Sequence, residues 1–134
     1  MSKPTILSVD DDPLVSEAIT RDLRERYGAD YRVARATSGS DALALLAELA
    51  LRDRPVALIV ADQRMPRMTG IEVCLELRKD PELAKIPVLF LTAKAQESDV
   101  QRGFAAGGND YVVKPFSPRE LSTRIDALLA RMPR

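Results

Sequence analysis

Five short apolar runs punctuate this chain, at residues 5–10, 31–37, 56–62, 87–92 and 110–114, and each is followed by a longer stretch with a different rhythm. Most of the short runs are continuously apolar, the pattern of strands buried on both faces. In the intervening stretches the apolar residues return at helical spacing. Val15, Ala18, Ile19 and Leu23 form one stripe, Ala42, Leu46, Leu49 and Ala50 a second, Ile71, Cys74 and Leu77 a third, and Leu121, Ile125, Leu128 and Leu129 the last. Alternation of this kind predicts an α/β fold, a parallel sheet of five strands with five helices covering both faces. The fourth helix is the weak one. Ser98 and Gln101 suit a capping box, but only Val100 and Phe104 are large and apolar, and Gly103 interrupts the segment before Gly107-Gly108 ends it. Little buried area and poor propensity mark it as the part expected to move.

Four of the strands end in polar residues. Asp10-Asp11-Asp12 follows the first, Asp62 closes the third, Thr92 the fourth, and Lys114-Pro115 follows the fifth. If the strands are parallel neighbours, these residues meet at one edge of the sheet. Carboxylates at Asp10, Asp11 and Asp62 would repel one another by roughly 4 kcal/mol per pair at 4 Å. A hard divalent cation relieves that repulsion; Mg²⁺ (or Mn²⁺) suits oxygen ligands and accepts one or two carboxylates together with a phosphate oxygen. Phosphate is therefore the expected guest. Asp62 can act as a carboxylate nucleophile forming an acyl phosphate, with Lys114 and the Thr92 hydroxyl holding phosphoryl oxygens. Each residue also has a plain alternative. Asp10-Asp11-Asp12 before Pro13 reads as a helix start, Asp62 as a turn residue, Thr92 as a strand-end cap and Lys114 as a solvated lysine. Their shared position at strand ends of one polarity favours the joint reading.

With 134 residues, 46% hydrophobic and 30% charged, the chain is expected to form one globular domain spanning residues 1–134. Twenty basic residues balance twenty acidic ones, which argues against nucleic acid or a membrane surface as the main partner. No apolar stretch approaches the roughly 20 residues of a membrane span, and Met-Ser-Lys-Pro opens no signal region, so a cytoplasmic location is expected. The absence of histidine removes histidine acid-base chemistry and the usual zinc sites. Cys74, the single cysteine, shares the stripe of Ile71 and Leu77 and reads as a core residue.

The segments Ile6-Leu7-Ser8-Val9-Asp10-Asp11-Asp12-Pro13, Asp62-Gln63-Arg64-Met65-Pro66-Arg67-Met68-Thr69-Gly70, Leu91-Thr92-Ala93 and Asp110-Tyr111-Val112-Val113-Lys114-Pro115-Phe116 resemble, in that order, the receiver domain of two-component response regulators, a family that includes the bacterial chemotaxis receiver. The resemblance implies a flavodoxin-like sheet of order 2-1-3-4-5. It implies that Asp62 is the phospho-acceptor, Asp11 a direct metal ligand, Asp10 a ligand acting mainly through water, and the Arg64 backbone carbonyl a further ligand. Thr92 matches the switch hydroxyl, Lys114 the phosphate-binding lysine, Tyr111 the aromatic rotor, and Pro115 the proline that usually follows a cis peptide bond. The implied donor is a phosphohistidine on a histidine kinase or phosphotransfer protein. The implied output is a changed face, formed by the fourth helix, fifth strand and fifth helix, acting on an effector domain or protein. The chain would be a monomer or a phosphorylation-dependent homodimer, and no enzyme beyond catalysing its own phosphorylation and dephosphorylation.

Asp110 and Arg124 match one salt-bridge pair of the dimers formed by winged-helix regulators, whereas Asp126 stands where those proteins often carry a base. Arg64 and Lys94 lie two residues past Asp62 and Thr92, and their basic side chains are expected to tune phosphorylation or dephosphorylation rates. The stretch from Pro4 to about Met65 is similar to receivers fused to thioredoxin-reductase-like or phosphohydrolase domains, and the stretch after Leu75 to stand-alone or DNA-binding regulators. Two other readings remain. Val9-Asp10-Asp11-Asp12 also fits a haloacid-dehalogenase-like phosphatase with Asp10 as nucleophile, although Asn109-Asp110 is a poor second acidic pair and Asp62 would have no role. A receiver-like interaction module that is never phosphorylated is the other.

Overall fold

A computed structural model of the chain describes residues 3–63, 65, 68–92 and 97–131. Strands and helices alternate throughout: β1 (Thr5–Val9), α1 (Pro13–Tyr27), β2 (Arg32–Ala36), α2 (Gly39–Leu51), β3 (Val56–Asp62), α3 (Gly70–Lys79), β4 (Val88–Thr92), α4 (Glu97–Ala105), β5 (Asp110–Val113) and α5 (Pro118–Ala130). The five strands form one parallel sheet of order β2-β1-β3-β4-β5, the flavodoxin-like arrangement.

Period-two alternation divides each central strand between two cores. Leu7 and Val9 of β1, Ile59 and Ala61 of β3, and Val88 and Phe90 of β4 face Ala42, Leu46, Val73, Cys74 and Leu77 from α2 and α3. Ile6, Leu58, Val60, Leu89 and Leu91 pack with Ile19, Leu23, Leu121, Ile125 and Leu128 from α1 and α5. Cys74 is thus the core residue its stripe predicts. The stripes differ in detail. Ser16 and Thr20 are buried on α1, and Val73 is buried on α3 where Ile71 is only half-buried. β2 is an edge strand; Arg32 and Arg35 stand exposed there, so the rule of strands buried on both faces does not extend to it.

Capping residues set the helix starts. The side chains of Asp12, Ser38, Thr69 and Ser117 each accept a backbone N–H in the first turn of α1, α2, α3 and α5. α4 begins at Glu97, which puts Ser98 in its first turn; the Ser98 side chain lies outside the described residues. A Cβ on Gly103 would lie 3.1 Å from the Phe90 ring, and Gly107, with φ of +101°, turns the chain after the helix. Glycine here lets a weak helix lie close on the sheet. Among the described residues no helix is long and apolar enough to cross a membrane.

Candidate functional site

Register places the candidate chemistry at one edge. Val9 pairs with Ala61, Asp62 with Leu91 and Thr92 with Val113, so the residues ending β1, β3, β4 and β5 stand side by side at the carboxyl ends of the strands. Asp10 is fully buried, Asp62 and Thr92 are nearly so, and Asp11 is exposed at the rim. One carboxylate oxygen from each of Asp10, Asp11 and Asp62 lies within 4.8 Å of the others. Lys114 Nζ donates to Asp62 Oδ2 at 3.2 Å and lies 3.5 Å from Asp10 Oδ2. The Lys114 amide donates to the Thr92 carbonyl at 2.6 Å, tying the two strand ends together.

The acidic triplet divides its labour. Asp12 caps α1, its Oδ1 accepting from the amides of Leu14 at 3.0 Å and Val15 at 3.4 Å. Asp10 turns inward, where its Oδ1 accepts the Asp12 amide at 2.9 Å. Its Oδ2 has no hydrogen-bond partner, the Lys114 contact at 3.5 Å being an ion pair without hydrogen-bond geometry. Burial pushes the Asp10 carboxyl above its ordinary range, and the Asp62 charge adds to this against the opposing Asp12 amide and Lys114. An orphaned buried carboxylate oxygen beside two further carboxylates fits the oxygen donor set of a hard divalent cation.

Within one triplet, then, Asp12 serves the helix start while Asp10 faces the strand-end cleft. The Lys114-Pro115 peptide is cis. Tyr111, half-buried on β5, packs edge-on against Phe104, with ring centroids 6.1 Å apart. Arg64 and Lys94 lie outside the described residues, and with them the Arg64 carbonyl. Asp110 accepts Arg124 Nη1 at 3.2 Å on both oxygens within the chain. Asp126 is turned away from that pair, towards α1. It accepts the Tyr27 hydroxyl at 2.8 Å and pairs with Arg26 at 3.3 Å, so this acid ties α5 to α1.

Two features gain a role only in the structure. A Cβ on Gly70 would collide with the Asp62 carbonyl, so glycine is what lets α3 start against the end of β3. Gly70 also donates its amide to Gln63 at 3.2 Å. In the sequence it closes the segment from Asp62 to Gly70 with no role assigned to it. Ser8, within the first such segment, and Ser16 carry buried hydroxyls with no hydrogen-bond partner.

An open, wholly parallel α/β sheet with an acidic, lysine-bridged cleft at its carboxyl edge defines a flavodoxin-like receiver of the two-component type. Residues 6–126 match the response regulator receiver domain family, and the chain belongs to it. It is 40% identical over 131 residues to the DNA-binding dual master transcriptional regulator RpaA of Synechocystis, covering 98% of this chain and 51% of that protein. It is 43% identical over 126 residues to the DNA-binding response regulator MtrA of Mycolicibacterium smegmatis, covering 94% and 50%. The Vibrio cholerae chemotaxis protein CheY4 superimposes with a TM-score of 0.81 at 28% identity over 95% of this chain and 99% of that one. The chain spans about half the length of the curated relatives it matches.

Proposed function

We propose that this receiver accepts a phosphoryl group on Asp62 from a phosphohistidine of a histidine kinase or phosphotransfer protein, in a reaction that depends on Mg²⁺ or Mn²⁺. The observation that carries the proposal is the cleft itself: three carboxylates within 4.8 Å of one another, with Lys114 Nζ 3.2 Å from Asp62. Asp62 is reachable at the strand end, whereas Asp10 is wholly enclosed, which favours Asp62 as the nucleophile over the phosphatase reading.

Asp10, Asp11, Asp62 and the Arg64 carbonyl would hold the cation, which when bound supplies neutralisation of charge on the transferring phosphoryl group. An Asp62 oxygen forms the new O–P bond while the donor's N–P bond breaks, and the electron pair leaves with the imidazole nitrogen, which takes up a proton. Lys114 releases its carboxylate partner to pair with a phosphoryl oxygen, and Thr92 donates its hydroxyl to another. Only the conformer in which both reach the phosphoryl group gains the full set of contacts, so its population rises. A complete exchange of populations from 1:99 to 99:1 needs about 5.5 kcal/mol of differential binding.

Tyr111, packed on Phe104, would relay the change to the face made by α4, β5 and α5, which acts on an effector domain or protein. The receiver performs no chemistry beyond its own phosphorylation and dephosphorylation, and works in the cytoplasm. Arg64 and Lys94 set the rates of those two steps; unchanged rates in an Arg64→Ala, Lys94→Ala double variant would refute that role. The main test is intact-mass spectrometry after incubation with acetyl phosphate. A single phosphoryl addition is expected with Mg²⁺, absent with chelator and in Asp62→Asn. Addition that survives in Asp62→Asn would overturn the assignment.

A further inference from the structure

Arg78 lies half-buried in the last turn of α3, away from the acidic cleft, and none of its bonds is to a carboxylate. Its Nε and Nη2 donate to the Gly107 carbonyl at 3.2 and 2.7 Å, and its Nη1 to the carbonyls of Ala84 and Ile86 at 2.9 and 2.7 Å. Nη2 also reaches Asn109 Oδ1 at 3.1 Å. All five guanidinium donors are thereby spent. The same Asn109 oxygen accepts the Val88 amide at 2.9 Å, and the Asn109 amide donates to the Val88 carbonyl at 2.9 Å. One planar cation thus joins the end of α3, the turn leading into β4 and the turn that carries α4 into β5.

Neighbouring residues reinforce that end of α4. Cys74 Sγ donates to the Ala106 carbonyl at 3.3 Å. Gly107 needs its positive φ, and a Cβ there would approach Arg78 Nε to 2.8 Å. Gly103 and Gly108 let the backbone sit on the Phe90 ring. Along the helix itself Gln101, Arg102, Phe104 and Ala105 are exposed, Val100 is half-buried, and Gly103 is the buried position among residues 100–105. α4 is therefore gripped hard where β5 begins, at the edge of the sheet opposite Asp62 and Thr92. Its first turn follows Thr92 in the chain.

We propose that Arg78 is the pivot of the output helix, a positioning residue that fixes the C-terminal end of α4 so that a rearrangement begun at Thr92 swings the helix from its N-terminal end. The signal that drives the swing rests on the function proposed above; the anchor does not.

Amide hydrogen exchange on the full chain tests both parts. In the unphosphorylated protein, Arg78→Met should accelerate exchange of residues 106–109 by about tenfold or more, the scale of losing charge-assisted hydrogen bonds, while β1 amides keep their rate. Arg78→Lys, which keeps the charge and some donors, should fall between. Unaltered exchange at 106–109, or equal acceleration in β1, would overturn the anchor. With acetyl phosphate and Mg²⁺, exchange in wild-type protein should change over residues 97–104 and stay constant at 106–109, and in Arg78→Lys the change should spread into 106–109. Equal changes at both ends of the wild-type helix would overturn the pivot. Phosphoryl occupancy is read from the intact mass of the same sample, so a failure of phosphorylation is seen separately from a failure of the anchor.

Discussion

Replacing Asp10 by asparagine should stabilise the metal-free protein. Asp10 is 0% exposed, and its oxygens and those of Asp62 approach within 4.8 Å. At an effective dielectric near 20 that separation corresponds to about 3.5 kcal/mol of repulsion. Lys114 Nζ at 3.5 Å returns about 4.7 kcal/mol on the same scale. The two nearly cancel, and exposed Asp11 adds a small further repulsion. What remains is the cost of burying a carboxylate whose Oδ2 has no hydrogen bond. Asparagine keeps an oxygen for the Asp12 amide and removes the charge, for a gain of about 1–2 kcal/mol, read as a rise in Tm of roughly 3–8 °C.

The pH dependence follows from the direction of the Asp10 shift. Burial raises its folded-state pKa above the unfolded value, so between the two the folded chain binds the extra proton and wild-type stability falls as pH rises. The advantage of Asp10→Asn should therefore vanish below the unfolded carboxylate range near pH 4 and grow as pH rises above it. Urea unfolding in chelator at a series of pH values measures it. With Mg²⁺ the order should reverse, because the cation stabilises only the protein that binds it well. A variant less stable than wild type at pH 7 in chelator would refute the reasoning.

Gly108→Ala should destabilise the fold by about 1–3 kcal/mol, since its Cβ would collide with Phe90. Chemical denaturation of the Gly108→Ala, Phe90→Leu double variant should show part of that loss relieved, with the 2.9 Å approach to the Gly103 carbonyl remaining. Asp53, just past α2, has φ of 56°, and Asp53→Gly should raise stability by about 0.5–1 kcal/mol in the same assay. Cys74 is buried and its thiol pushed up by burial, so a thiol reagent should label it slowly in the native protein and rapidly in denaturant. Rapid native labelling would contradict its place in the core.

The parallel sheet was legible because β1, β3 and β4 are largely apolar runs with their polar residues at one end, whereas its order came from the family resemblance. The same pattern located Asp10, Asp62, Thr92 and Lys114 before any contact was known. It could not tell that Asp12 caps α1 while Asp10 turns inward, because all three aspartates suit a helix start and only the strand register distinguishes them. Arg78 was silent for a different reason. It acts on backbone carbonyls from segments distant in sequence, and an arginine in a last turn does not announce such contacts. Asp126, an acid where winged-helix regulators often carry a base, lies two residues past Arg124 and so faces a different side of α5, Arg124 reaching β5 and Asp126 reaching α1.

The most direct test of the site is to locate the phosphoryl group. Acetyl phosphate and Mg²⁺, followed by borohydride, reduce an aspartyl phosphate to homoserine, which peptide mass spectrometry assigns to a position. Homoserine at residue 62, lost on chelation and in Asp62→Asn, is the predicted result. Homoserine at residue 10, or none in a folded protein under these conditions, would contradict it.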